Sequence, residues 1–225
     1  ELAVGLEGEL TVDTSESQCA SIRSMIDRSG VRVDTVACGL SWAFNPASDD
    51  AAMRAKAIEA HAAALRRAGW LGAKAMLMVP GVVRSPIAPA ECVRYDRALQ
   101  RVREAVTQLL DVADEVGVDL CLENVWNGLF YSPVEFAGFV DAFSAERLGV
   151  YFDVGNVLGY QQYPPHWIEI LGERIRRVHI KDYRETFGWV GGYAFAALGA
   201  GDMPWAETMK ALRSIGYTRT LIAEM

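Results

Sequence analysis

Short apolar runs and longer amphipathic runs alternate from one end of this 225-residue chain to the other. No other feature constrains the fold as much. A strand buried on both faces reads as a continuous apolar run, and a helix covering it shows apolar residues at a 3.6-residue period. Strand-like segments lie at 8–12, 32–38, 73–80, 118–123, 148–153, 176–181 and 220–224. Helical patterns fall between them, at 15–28, 50–68, 91–116, 132–143, 165–171 and 204–215. Ser15 with Gln18, and Ser132 with Glu135, have capping-box spacing; Pro133 suits a first helical position. Gly69, Gly117 and Gly216 stand where three of the helices should stop. Residues 182–201 read as a Gly- and aromatic-rich loop.

Strand–helix alternation with short links predicts an α/β fold, a parallel sheet with helices outside it. No low-complexity linker divides the chain, so residues 1–225 read as one domain. The spacings suit a (β/α)8 TIM barrel, here with seven strands expected. A doubly wound open sheet fits less well, because no G-x-G-x-x-G follows the first strand and Gly199-Ala200-Gly201 lies late in the chain.

Composition narrows the function classes. Asp and Glu total 29 against 22 Lys and Arg, a formal net charge of -7, which opposes a duplex-binding protein with a basic face. No apolar run reaches 18 residues, so no membrane span is expected, and no signal peptide is visible. Cys19, Cys38, Cys92 and Cys121 are isolated and form no C-x-x-C pair; they read as reduced thiols of a cytoplasmic protein.

The chemistry gathers at strand ends. Glu123, Asp153, His179 and Glu224 each close an apolar run. Side chains alternate along a strand, and the parity lets all four point inward, together with Lys181. Sites of parallel α/β proteins lie at these carboxyl ends. Three converging carboxylates repel one another unless a cation offsets them. A divalent ion would leave about one negative charge, which Lys181 balances. Three carboxylates and an imidazole form a hard donor set, suited to Mn2+ first and admitting Mg2+, Co2+ or Zn2+. Taken singly, each residue has a plainer role, the Glu as a solvated edge residue and the His as a half-buried hydrogen-bonding group. Trp42, Trp126, Asn127 and Tyr183 follow strand ends and are placed to shape a substrate pocket or simply to pack loops. Glu9 has inward parity, Arg84 is a loop cation, and His61 and His166 sit on helices as packing or surface residues.

The segments CLENVWNGLFYSPVEFAGFVDAF, GVYFDVGN, VHIKD, LGAGDMPW and GYTRTLIAE resemble the xylose isomerase-like TIM-barrel superfamily, in its sugar or sugar-phosphate isomerase and epimerase branch. The resemblance implies a Glu on the fifth strand, an Asp on the sixth, a His on the seventh and a Glu on the eighth. Glu123, Asp153, His179 and Glu224 match these in turn. Asn156 stands where many epimerases have a substrate-binding His, and Arg184 falls one residue short of a frequent substrate Arg. The Gly5-Leu6-Glu7-Gly8-Glu9-Leu10 segment should follow the family's first strand, so a barrel lacking that strand and the last helix is expected.

The implied activity is metal-dependent isomerisation or epimerisation of a sugar or sugar phosphate, part of carbohydrate metabolism. Glu123 and Glu224 would move a proton next to a carbonyl through a metal-stabilised enediolate. Lys181, Asn156, Trp126, Asn127, Trp42 and Arg184 are candidates for binding the substrate. The partner is thus a small molecule, with neither nucleic acid nor membrane expected; a homo-oligomer is compatible. An inosose dehydratase-type lyase and a non-catalytic barrel are the alternatives. An endonuclease IV-like enzyme fits poorly with three His and net charge -7.

Overall fold

In the computed structural model, which describes residues 1–85, 91–186 and 192–224, the chain falls into two compact units. The first comprises Glu1–Glu123, Asn127–Leu129 and Ala145–Leu148. Its elements are β1 (Leu2–Val4), α1 (Glu16–Ser29), β2 (Thr35–Cys38), α2 (Ala51–Leu71), β3 (Ala75–Met78), α3 (Tyr95–Val116) and β4 (Asp119–Glu123). The strands pair in parallel in chain order, with Leu2 opposite Val36, Val36 opposite Met76 and Met76 opposite Leu120. All four residues of β3 are buried, which is why Ala-Met-Leu-Met reads as an uninterrupted apolar run. On α3, Ala98, Val102, Ala105, Leu109 and Ala113 recur at helical spacing and form the buried stripe.

The second unit comprises Asn124–Trp126, Phe130–Ser144 and Gly149–Met225. It carries α4 (Pro133–Asp141), β5 (Leu148–Asp153), α5 (Val154–Gly159), α6 (Pro164–Leu171), β6 (Ile175–Ile180), β7 (Asp182–Thr186), β8 (Gly192–Ala196), α7 (Trp205–Ser214) and β9 (Leu221–Ala223). Here β5, β6 and β9 are parallel neighbours, and β7 pairs antiparallel with β8. Among the described residues the first unit's parallel strands follow the order β1-β2-β3-β4 and the second unit's the order β5-β6-β9, seven in all, as expected.

Six of the seven strands stand where the apolar runs place them. The first does not. Residues 8–12 are irregular, with one isolated bridge from Gly5 to Thr11, and the strand is Leu2–Val4 instead. Val4 is buried, whereas Glu9 is exposed and has no inward role. The capping box at Ser15 and Gln18 forms as expected, and Gly117 ends α3 with φ 70°. At Ser132 only the proline of the expected start is realised; the serine side chain caps nothing.

Helix α2 passes through Gly69 and ends at Gly72. Gly69 serves packing instead: a Cβ there would lie 2.9 Å from the Val116 Cβ, so the missing side chain lets α2 and α3 approach. The expected loop at 182–201 holds the β7–β8 hairpin, and its residues 187–191 lie outside the described ones.

His61 is a packing residue of α2, fully buried. Its Nδ1 lies 2.7 Å from the Ala57 carbonyl and its Nε2 lies 3.0 Å from Ser41 Oγ. Burial pushes its pKa down to about 4, against the pull of the Ala57 carbonyl. The unfolded chain takes up this proton near pH 6.5 and the folded chain only near pH 4, so stability rises with pH across that window. From pH 7 to pH 5 the protein is expected to lose about 2 kcal/mol through this group. Urea midpoints of the parent and His61→Gln at both pH values check it; parallel losses in the two proteins would contradict it.

Candidate functional site

Four titratable side chains of the second unit meet at the ends of its parallel strands: Asp153, His179, Lys181 and Glu224. Asp153 closes β5 and is the N-cap of α5, where its Oδ1 accepts from the Asn156 N–H at 2.8 Å. Its backbone is held on both sides by one amide. Asn124 Nδ2 donates to the Asp153 carbonyl at 2.9 Å, and the Asp153 N–H donates to Asn124 Oδ1 at 2.8 Å. Asn156 in turn donates from Nδ2 to the Asn124 carbonyl at 2.8 Å. Two buried amides thus fix the backbone at Asp153, and the Asn156 N–H holds one oxygen of its carboxylate.

His179 lies on β6 with the Tyr151 ring 4.6 Å from its own, and its Nδ1 is 3.4 Å from Glu224 Oε2. Glu224 follows β9, fixed by donation from its N–H to the Ile180 carbonyl at 3.1 Å. The bond from His179, with Lys181 adding to it, holds the Glu224 pKa down at about 2 in spite of burial. Lys181 Nζ bridges Asp153 Oδ2 at 2.8 Å and Glu224 Oε2 at 2.7 Å. Burial works against its charge, but the two carboxylates overcome that and hold its pKa above the ordinary lysine range. Gly155 makes room for this lysine, since a Cβ there would sit 2.2 Å from Lys181 Cγ.

Glu123, 6% exposed, closes β4 and directly precedes Asn124. One ligand atom from each of Glu123, Asp153, His179 and Glu224 lies within 4.8 Å of the others. The inward parity read from the sequence thus brings this quartet together. A nitrogen donor and three carboxylates at that spacing fit a hard divalent cation.

The other candidates have varied surroundings. Trp126 donates from Nε1 to the Asn156 carbonyl at 3.0 Å and packs against Tyr183 and Tyr193, with centroids 5.6 and 4.7 Å away. Burial pushes the Tyr183 phenol up to about 12; it also feels the charges of Lys181, Asp153 and Glu224. Asn127 turns to the loop after β3, donating to the Gly81 carbonyl at 2.6 Å and accepting from the Leu129 N–H. Trp42 is half-buried in a short 3-10 turn, Leu40–Trp42. Arg184 is exposed and donates to the Ala200 carbonyl. Arg84 and His166 are exposed.

Three supporting residues escaped the sequence reading. Asn124 holds the backbone of Asp153 and Tyr151 packs its ring against His179; the only signal for either was its place near Glu123 or Asp153. Asp182 accepts from the backbone N–H groups of Gly199, Gly201 and Met203 and from Trp205 Nε1, tying the loop after β8 to β7. The glycines of LGAGD were the available signal: a Cβ on Gly201 would lie 2.2 Å from Asp182 Oδ1.

Gly159 supports Trp126 in the same way, since its Cβ would fall 2.3 Å from Trp126 Cζ2. Gly159→Ala is expected to displace the indole, destabilise the fold by about 1–3 kcal/mol and change tryptophan emission. Emission spectra and urea melts check this, and an unchanged spectrum at parental stability would contradict it.

Residues 3–225 match the family model described as xylose isomerase-like TIM barrel. The chain is 22% identical over 214 residues to the L-ribulose-5-phosphate 3-epimerase UlaE of Salmonella paratyphi A, covering 95% of this chain and 72% of that protein. Among solved structures, a D-tagatose 3-epimerase-like protein superposes with a TM-score of 0.79 at 22% identity, covering 98% of this chain and 79% of that one. D-psicose 3-epimerase, solved in the presence of D-fructose, gives a TM-score of 0.79 at 23% identity, with 95% and 71% covered.

Proposed function

The chain belongs to the xylose isomerase-like TIM-barrel family, and on that premise we propose that it is a divalent-metal-dependent sugar epimerase or isomerase working as one domain. One observation carries the reading: the ligand atoms of Glu123, Asp153, His179 and Glu224 gather within 4.8 Å, beside a lysine. The names of its relatives, epimerases of ribulose phosphate and of free ketoses, support the sugar as substrate.

Glu123, Asp153, His179 and Glu224 would hold the cation. When bound, it would polarise a substrate carbonyl and acidify the neighbouring C–H. Mn2+ suits the donor set best. Glu123 and Glu224 have the further task of proton transfer, one removing a proton beside the carbonyl and the other returning one. The bonds from His179 and Lys181 keep Glu224 ionised at neutral pH. Lys181 pairs with Asp153 and Glu224 and steadies the negative charge that develops on the substrate oxygen. Trp126, half-buried and backed by the Tyr183 ring, supplies apolar surface for a sugar face.

The reading is tested by incubating the protein and Mn2+ in D2O with ketoses, their phosphates and inososes, and following deuterium at carbon by NMR. Exchange with interconversion of sugars is expected. Loss of water from an inosose would instead make the protein a lyase. No exchange with any of these substrates would contradict the proposal. No helix among the described residues is long and apolar enough to cross a membrane.

A further inference from the structure

The β7–β8 hairpin has two outer edges, and only that of β7 is closed. The Asp202 N–H donates to the Tyr183 carbonyl at 2.8 Å, and the Glu185 N–H donates to Asp202 Oδ2 at 2.7 Å. Tyr183 and Glu185 thus turn their backbone groups away from β8. In an antiparallel ladder such residues, and those directly opposite them, form the non-hydrogen-bonded pairs. Tyr183 stands opposite Phe195 and Glu185 opposite Tyr193. The N–H and C=O groups of Tyr193 and Phe195 therefore point to the outer edge of β8. Among the described residues no further strand pairs with β8, and no loop or turn donates to or accepts from those groups.

Exposed strand edges are ordinarily protected by a charge, a proline or a bulge. The strand Gly192-Tyr193-Ala194-Phe195-Ala196 has none of these: it is uncharged, and its register with β7 runs without a shift. Its aromatic residues are open, Phe195 68% and Tyr193 45% exposed. Both lie on the face of the hairpin that carries Tyr183, whose ring is 4.6 Å from Phe195 and 6.1 Å from Tyr193. Gly192, Ala194 and Ala196 line the opposite face of β8. This pattern is its own complement. Turned about a twofold axis at Ala194, a second β8 sets each Tyr193 opposite the partner's Phe195, Ala194 opposite its own copy and Gly192 opposite Ala196. Aromatic then meets aromatic and small meets small. Because the outward backbone groups belong to Tyr193 and Phe195, these two exchange both N–H···O=C bonds at each pairing, and the edge is closed. No charge on the strand opposes its image.

We propose that β8 pairs antiparallel with β8 of a second copy of this chain, joining two hairpins into one four-stranded sheet in a closed twofold dimer. The inference is independent of the epimerase reading. Sedimentation velocity of the full chain from about 1 to about 200 µM is expected to show a reversible monomer–dimer equilibrium, since one strand pairing is small beside a standard interface. Phe195→Lys puts a charge into both aromatic pairs. Phe195→Pro removes an outward N–H and leaves the ladder to β7 intact. Each should weaken the dimer about tenfold or more, with the fold retained by circular dichroism. Cross-linking reads the register itself. Ala194 and its copy form a non-hydrogen-bonded pair, about 4.5 Å between Cα atoms, within reach of a disulfide. Ala194→Cys, made with the exposed Cys92 replaced by Ser, should oxidise to a covalent dimer. Thr186→Cys in the same background should not, because the two copies of β7 stand three strand spacings apart, about 14 Å. A parent that stays monomeric throughout the range would overturn the proposal and point to a strand of another protein as the occupant of this edge. Species larger than a dimer, a dimer untouched by both Phe195 variants, or equal cross-linking at 186 and 194 would overturn it as well.

Discussion

Lys181→Met is expected to destabilise the metal-free protein by about 3–5 kcal/mol, the cost of stripping one partner from a buried ion pair. Asp153 is completely buried, and the lysine ammonium lies 2.8 Å from its Oδ2. Without that ammonium the carboxylate either stays charged in a poor environment or takes up a proton. Methionine keeps the stem volume against Gly155, so the change removes charge and little packing. Divalent cation should recover much of the loss. Ligand that binds only the folded state at a hundred times its Kd adds about 2.7 kcal/mol. Urea melts of parent and variant, with and without Mn2+, check both halves. A metal-free variant as stable as the parent would show that the ammonium does not compensate Asp153.

Glu123→Gln and Glu224→Gln are expected to lower deuterium exchange into the sugar by about 10² or more, the loss typical of a general base. Glutamine retains the size and an oxygen donor but accepts no proton at neutral pH. Metal binding measured alongside separates the two duties of each residue. Exchange at the parental rate in both variants, with the cation still bound, would contradict the proton-transfer role.

The gathering of these four side chains is legible in the sequence because two independent regularities coincide there. Apolar runs locate the strands, and the acidic or imidazole residue closing each run breaks the pattern at one end. Parity then brings Glu123, Asp153, His179 and Glu224 together. Lys181 follows by the same parity, two residues after His179, although its bridge between Asp153 and Glu224 is visible only in three dimensions.

What stayed hidden has physical causes. Leu2–Val4 is too short to show a period, and Gly8–Val12, with its alternation, mimicked a strand. Gly69 was read as a helix stop, yet its role is close packing against Val116, which no local rule reveals. The β7–β8 hairpin was masked by glycines and aromatics that resemble a loop, and its pairing, Tyr183 opposite Phe195, is tertiary information. Asn124 and Asp182 act through backbone groups far along the chain, so their roles leave no pattern around them.

The central claim is that four strand-end side chains of this chain hold one divalent cation. Calorimetric titration of Mn2+ into the parent, Asp153→Ala and His179→Ala, with folding of each verified by circular dichroism, tests it most directly. One ion per chain in the parent and a loss of affinity in both variants of about 10- to 100-fold or more are expected, since even residues that only support a metal's ligands account for that much. Parental affinity for Mn2+ in both folded variants would contradict the account.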